Sequence, residues 1–279
     1  MRNNIIAIMY DFDKTLCTKD MQEYTFIPNL GIKPEEFWAD ANELREKSKM
    51  DQVLTYMYLM LKKTTDNNQI LKRNYLNEMG KDIELYPGVE QWFERINKFG
   101  KKHGVIIEHY IISSGLKEII EGTSIGKYFK KIYASEFLYD ESGKAIWPKI
   151  AVNYTNKTQF LIRIKKGVLD ISDDYNLNKK MLENERRIST SNMIYIGDGI
   201  TDVPCMKLTK DGGGVSIAVY NEKSKNTAKS LYEDNRINYF VKANYTEHSQ
   251  IDEIIKKTIM AMSLNTELKN ISYEESVKE

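Results

Sequence analysis

IIAIMYDFDKTLC, residues 5 to 17, runs from six apolar residues into two aspartates, Asp11 and Asp13, two positions apart. The apolar run is the right length and composition for a buried strand. Residues i and i+2 of a strand share a face, so two like charges crowd together where that strand ends. Either they close the strand or cap the next helix, or they are half of a metal and phosphate site. In an open α/β sheet ligands bind at the carboxyl ends of the strands, which makes the second reading worth following along the chain.

Five further runs read as buried strands: HYIISS (109–114), KIYAS (131–135), MIYIGD (193–198), VSIAVY (215–220) and NYFVKA (238–243). Helical patterns lie between most of them, which predicts parallel pairing through crossovers and an α/β class. In LYPGVEQWFERINKFGKKHG, Pro87 marks a helix start and Gly100 its end. SQIDEIIKKTIMAMSL reads as an amphipathic helix, and the polar stretch after it, residues 265–279, as a fraying tail. Two segments break the alternation. From Thr18 to Leu85 no strand is evident, and PEEFWADANELREKS, MDQVLTYMYLMLKK and NQILKRNYLNEM read as successive helices of a small inserted domain. YASEFLYDESGKAIWP reads as a β-hairpin, near 132–148, projecting from the sheet about the turn Asp140 to Gly143. The Tyr and Met residues of the insert, among them Tyr24, Tyr56, Met57, Met60 and Tyr75, are read as its core, with a few available to line a pocket.

The 279 residues suffice for one sizeable core and a smaller second one. With 41% apolar and 29% charged residues the composition is that of a soluble globular protein, and a formal charge of +1 gives no electrostatic reason to expect nucleic acid or an anionic membrane as partner. Two distant cysteines, Cys17 and Cys205, speak against a disulfide framework or structural zinc. The six-residue apolar run is too short for a membrane span and reads as a strand rather than a signal peptide. The expected location is the cytoplasm.

Three later features bear on the opening question. Ser113 and Ser114 end a strand and a helix opens after Gly115; hydroxyls beside free helix N–H groups suit an anion, although a serine N-cap explains them equally. In YIGDGITDVPCM, Asp198 and Asp202 sit in a turn whose Gly197 and Gly199 permit close backbone approach; a turn favours these residues for its own sake too. Lys157 opens a helix between those two motifs, where a cation could balance clustered carboxylates, but alone it is one surface lysine among many.

Taken in order, DFDKTL, ISSG, a lysine and GDGITD resemble the haloacid dehalogenase superfamily of hydrolases, from Ile5 to about Ile255. YPGVEQW and the YDESGK hairpin look most like its phosphoserine-phosphatase-like branch. The resemblance implies a Rossmann-like three-layer sandwich at 1–17 and 86–264 with a mostly parallel sheet, and an all-helical cap domain at 18–85 inserted after the first strand. It implies a phosphatase acting on a small phosphorylated metabolite, with Asp11 as nucleophile and Asp13 as general acid and base. Mg²⁺ would be held by Asp11, the Asp13 backbone carbonyl and Asp198. Ser113, Ser114, Gly115 and Lys157 would bind the phosphoryl group, and Asp202 would position Lys157 or a metal-bound water. An aspartate two residues after the nucleophile favours hydrolysis over dehalogenation or ion pumping. A phosphotransferase with a non-water acceptor, or a non-catalytic phosphometabolite-binding protein, would share the motifs. Asp20 stands where phosphoserine phosphatases carry a glutamate that reads the substrate amine, so it is expected either to contact the leaving group or to cap a helix of the insert. Arg45 and Arg73 are candidates for reading a second acidic group.

Overall fold

Strand β1 (Ile5–Tyr10) is buried along its whole length, as a strand covered on both faces must be, and its apolar run follows from that position. The structure, a computed structural model, describes residues 4–276, with all their side chains except those of 184 and 272–276. Strands β2 (Ile106–Leu116), β3 (Phe129–Tyr139), β4 (Ala145–Ile150), β5 (Met193–Gly197), β6 (Val215–Tyr220) and β7 (Tyr239–Lys242) complete a single seven-stranded sheet. Its order is β4-β3-β2-β1-β5-β6-β7. Every neighbouring pair is parallel except β3 with β4. The chain builds outward from β1 on one side and returns to add β5 on the other. The topological switch point, where ligands bind in such sheets, therefore lies between β1 and β5.

Helices α1 (Phe26–Asn29), α2 (Pro34–Ser48), α3 (Gln52–Asp66) and α4 (Arg73–Met79) form the insert after β1. Helices α5 (Val89–Lys102), α6 (Lys117–Gly122), α7 (Thr158–Lys166), α8 (Asp174–Asn178), α9 (Val203–Asp211), α10 (Lys225–Glu233) and α11 (Gln250–Ser276) belong to the sheet-bearing part. Alternation along β1 defines the layers. Ile6, Ile8 and Tyr10 pack with Trp92, Phe93 and Ile96 of α5 and Ile251, Ile255 and Ile259 of α11. Ile5, Ala7 and Met9 face Phe160 and Ile164 of α7, Met206 of α9 and Leu231 of α10. Burying each such large side chain contributes roughly 1.5–3 kcal/mol, so slipping β1 by one residue would misplace the contacts of both layers. No helix of the described residues is long and apolar enough to cross a membrane.

Four expectations change. Gly100 does not end α5 but lies buried inside it, where an added Cβ would meet Ile107 Cγ1 at 2.5 Å; close helix–sheet approach, not helix termination, requires the glycine. The hairpin does not project free: β4 forms the sheet edge, and Ala145 N–H donates to Leu71 O (2.9 Å) while Arg73 N–H donates to Gly143 O (3.1 Å). Those bonds hold the chain extended up to Lys72, which bridges to Lys144, so α4 starts only at Arg73. The segment expected to fray from 265 continues α11 to Ser276. Asn192 Nδ2 donates to Thr266 Oγ1 (3.2 Å) and Lys269 Nζ to Ser191 Oγ (3.3 Å), anchoring that extension to the approach to β5; residues 277–279 lie outside the described residues.

Candidate active site

Because β2, β1 and β5 are adjacent and parallel, their carboxyl ends bring the three sequence motifs to one edge. Asp11 N–H donates to Ile196 O at 2.9 Å, continuing the β1–β5 ladder and setting Asp11 beside the turn that carries Asp198. Asp11 is 6% exposed, and its Oδ1 lies 3.0 Å from Lys157 Nζ. Lys157, brought in at the start of α7 and 1% exposed, also donates to Asp202 Oδ1 at 2.8 Å. The hydroxyl of Tyr195 donates to the same oxygen at 2.8 Å. Burial by itself would lower the Lys157 pKa, but Asp11 and Asp202 more than reverse that and raise it, so the ammonium stays charged.

Carboxylate oxygens of Asp11, Asp198 and Asp202 lie within 4.8 Å of one another. Burial, then Asp202, pushes the Asp11 pKa up to about 6 against the pull of Lys157. Burial, then Asp11 and Asp202, raises Asp198 well above the usual carboxylate range. Three carboxylates against one ammonium leave an excess of negative charge, and an oxygen-only donor set suits a hard divalent cation. Within this set Asp202 lies off the cavity wall: its Oδ1 serves Lys157 and Tyr195, while its Oδ2 is buried against Gly197 without a hydrogen-bond partner among the described residues. Asp11 and Asp198 are left with oxygens facing the cavity.

Asp13 stands outside the carboxylate cluster. Its Oδ1 accepts the Met21 N–H at 2.9 Å, so the first turn after the motif, already part of the insert, orients it. Burial, then Asp20 and Asp11, raises its pKa well above the usual range. Ser113 is buried and its Oγ accepts the Gly115 N–H at 3.0 Å, while Ser114 and Gly115 form the cavity wall. Asp20 also lines the cavity. It makes no side-chain capping bond, and its carboxylate is paired with Lys14 at 2.5 Å. Of the two arginines, Arg45 lines the cavity, whereas Arg73 pairs with Glu121 and lies over the Tyr139 ring. Tyr56 lines the cavity too and donates to Ser114 O at 2.6 Å, while Met57 and Met60 are core.

Lys14, Gln22 and Tyr195 were not singled out from the sequence. Lys14 adjoins Asp13 and takes φ 57°, a backbone conformation uncommon outside glycine. Its place inside DFDKTL was the available signal. Tyr195 sits on the same sheet face as the alternating apolar residues around it, and nothing local marks its hydroxyl.

A mostly parallel sheet with a carboxylate cluster and a buried lysine at its switch point, and a helical insert after the first strand, define a Rossmann-like α/β protein with a helical cap. The chain belongs to the haloacid dehalogenase-like hydrolase family, whose model matches residues 8–207, and its fold is that of the phosphoserine-phosphatase-like members. An uncharacterized protein of Borreliella burgdorferi is 28% identical over 291 residues, covering 92% of this chain and 98% of that protein. Inorganic pyrophosphatase 2 of Arabidopsis thaliana is 26% identical over 209 residues, which cover 72% of this chain and 66% of that protein. A solved hydrolase of the family from Salmonella enterica serovar Typhi is similar with a TM-score of 0.59 at 17% identity, over 92% of this chain and 71% of that one. Phosphoserine phosphatase in its apo form is similar with a TM-score of 0.54 at 17% identity, over 90% and 98%.

Proposed function

We propose that the protein is a Mg²⁺-dependent phosphatase that hydrolyses a small-molecule phosphate monoester through an aspartyl-phosphate on Asp11. The observation that carries this reading is the placement of two differently prepared carboxyl groups on one cavity. Asp11 is paired with Lys157 at 3.0 Å, which offsets part of the burial that raises its pKa to about 6. Asp13, held by the Met21 N–H, has no such cation on its carboxylate among the described residues and is raised well above the usual range. Environments that separate paired carboxyl groups in this way divide nucleophile from acid.

In the first step an oxygen of Asp11 bonds to phosphorus and the bond from phosphorus to the ester oxygen breaks. Asp13 gives its proton to that departing oxygen. In the second step Asp13 takes a proton from water as the water oxygen bonds to phosphorus, which releases phosphate and restores the Asp11 carboxylate. Lys157 neutralises Asp11 and binds a phosphoryl oxygen as charge moves onto it. The Ser113 hydroxyl has its hydrogen left to donate to a second phosphoryl oxygen, with Ser114 and Gly115 shaping the wall beside it. Asp202 and Tyr195 fix the Lys157 ammonium. Asp11, Asp198 and the Asp13 backbone carbonyl would hold Mg²⁺, which, when bound, supplies the positive charge that lets an anionic nucleophile approach an anionic ester.

The test is release of phosphate from p-nitrophenyl phosphate with Mg²⁺, together with intact-protein mass. Wild-type protein is expected to turn over, and Asp11→Asn to lose both turnover and any phosphorylated species. Undiminished turnover in Asp11→Asn would refute the assignment.

A further inference from the structure

The cavity in front of Asp11 encloses about 610 Å³, inside the range of roughly 300–1,000 Å³ typical of sites that enclose a drug-sized ligand. The cap contributes Trp38, Met50, Val53 and Tyr56 to its wall, interleaved with the polar Asp20, Gln22, Arg45, Asp51 and Gln52. The carboxylates that line this part are already engaged. Asp20 is paired with Lys14 at 2.5 Å, and Asp51 accepts from the N–H groups of Val53 and Leu54 (2.9 and 3.1 Å) and from Asn153 Nδ2 (2.9 Å). Arg45 lines the same part and makes no ion pair among the described residues, so Lys14 and Arg45 balance Asp20 and Asp51 and no surplus carboxylate is left for a substrate ammonium. Gln22 is different: it is 2% exposed, lines the cavity, and its side-chain amide makes no hydrogen bond among the described residues. Its amide is not sealed off in the core but open to the cavity, so a ligand that offers a donor and an acceptor can bond it directly.

We infer that the leaving group is a bulky one built on a planar heteroaromatic ring and carrying no ammonium beside the ester carbon. Gln22 reads a donor and acceptor on the ring edge. An amide presents one acceptor and two donors in one plane, which matches such an edge, whereas an ammonium needs an uncommitted carboxylate. A site built to bond a polar group discriminates against ligands that leave it unpaired. Gln22 is thus a specificity residue, and Asp20 serves as the partner of Lys14 rather than as an amine reader. This inference rests on the phosphatase reading above.

The experiment compares kcat/KM of the full-length protein with Mg²⁺ for adenosine and cytidine monophosphates and pyridoxal phosphate against phosphoserine and phosphoethanolamine. At least one ring-bearing ester is expected to exceed both ammonium esters by about ten-fold or more. Gln22→Glu, which supplies an uncommitted carboxylate, is expected to move the preference at least about ten-fold toward phosphoethanolamine, with folding checked by thermal melt. A wild-type preference for phosphoserine or phosphoethanolamine overturns the inference while leaving the phosphatase reading intact. So does an unchanged ratio in folded Gln22→Glu. Hydrolysis of none of the five esters, with p-nitrophenyl phosphate also inert, overturns both.

Discussion

Lys157 reaches Asp11 across 146 residues of sequence, Nζ to Oδ1 at 3.0 Å, with neither group open to bulk water. A buried pair contributes little net stability when intact but is expensive to break, because the remaining charge is left uncompensated. Lys157→Met is therefore expected to destabilise the fold by about 3–5 kcal/mol, measured by chemical denaturation, and to lower kcat by roughly 10²–10³-fold. Retention of wild-type kcat would remove the ammonium from the reaction.

Gly115 makes room for Asp13, the proposed proton donor. A Cβ there would stand 2.1 Å from Met21 Cε and 2.9 Å from Asp13 Oδ2, and Met21 is the residue whose N–H orients Asp13. Gly115→Ala is expected to cost about 1–3 kcal/mol through overpacking and to lower kcat disproportionately, with KM little changed. A melt and steady-state kinetics on one preparation separate the two effects.

The carboxylates of Asp11, Asp198 and Asp202 repel one another, so a bound divalent cation should stabilise the fold as well as serve the chemistry. At a Mg²⁺ concentration about 100 times the Kd the gain is about 2.7 kcal/mol, visible as a rise in Tm that EDTA reverses. In Asp198→Asn the Mg²⁺-dependent part of that rise should vanish. An equal rise in both proteins would place the ion elsewhere.

His109 gives stability its pH dependence on the acid side. It is buried between Tyr10 OH (3.0 Å from Nδ1) and Asn97 Oδ1 (3.1 Å from Nε2), and burial lowers its pKa from 6.5 to about 3. The unfolded chain thus binds a proton that the folded chain refuses. The histidine's contribution is complete above about pH 6.5 and is lost as pH falls toward 3, at up to about 1.4 kcal/mol per pH unit. His109→Gln, which cannot titrate, should flatten that part of the denaturation profile. An unchanged slope between pH 6 and 4 would contradict the assignment.

How far the sequence could be read depends on how local each signal is. The runs at 5–10, 193–198 and 215–220 correspond to β1, β5 and β6, because a strand covered on both faces needs continuous apolar residues wherever it is placed. Gly100 was misread because a glycine that ends a helix and one that lets a helix approach a sheet look identical in sequence; only Ile107, from the next strand, separates them. The start of α4 was misread for a similar reason, since its first residues are held extended by a hairpin some seventy residues later in the chain (Lys72 against Lys144).

The sequence by itself determined the strand order along the chain, the α/β class, the helical insert and the residue types of a carboxylate-and-lysine site, since periodicity and strand-end motifs are local. Tertiary structure alone decided which groups meet. It paired Lys157 with both Asp11 and Asp202, tied Asp20 to Lys14, and left Gln22 buried beside the cavity without a partner among the described residues. Charge pairing, burial and the resulting pKa values depend on distances across the fold. The two aspartates of DFDKTL stand in different settings because Lys157 reaches one and the Met21 N–H holds the other.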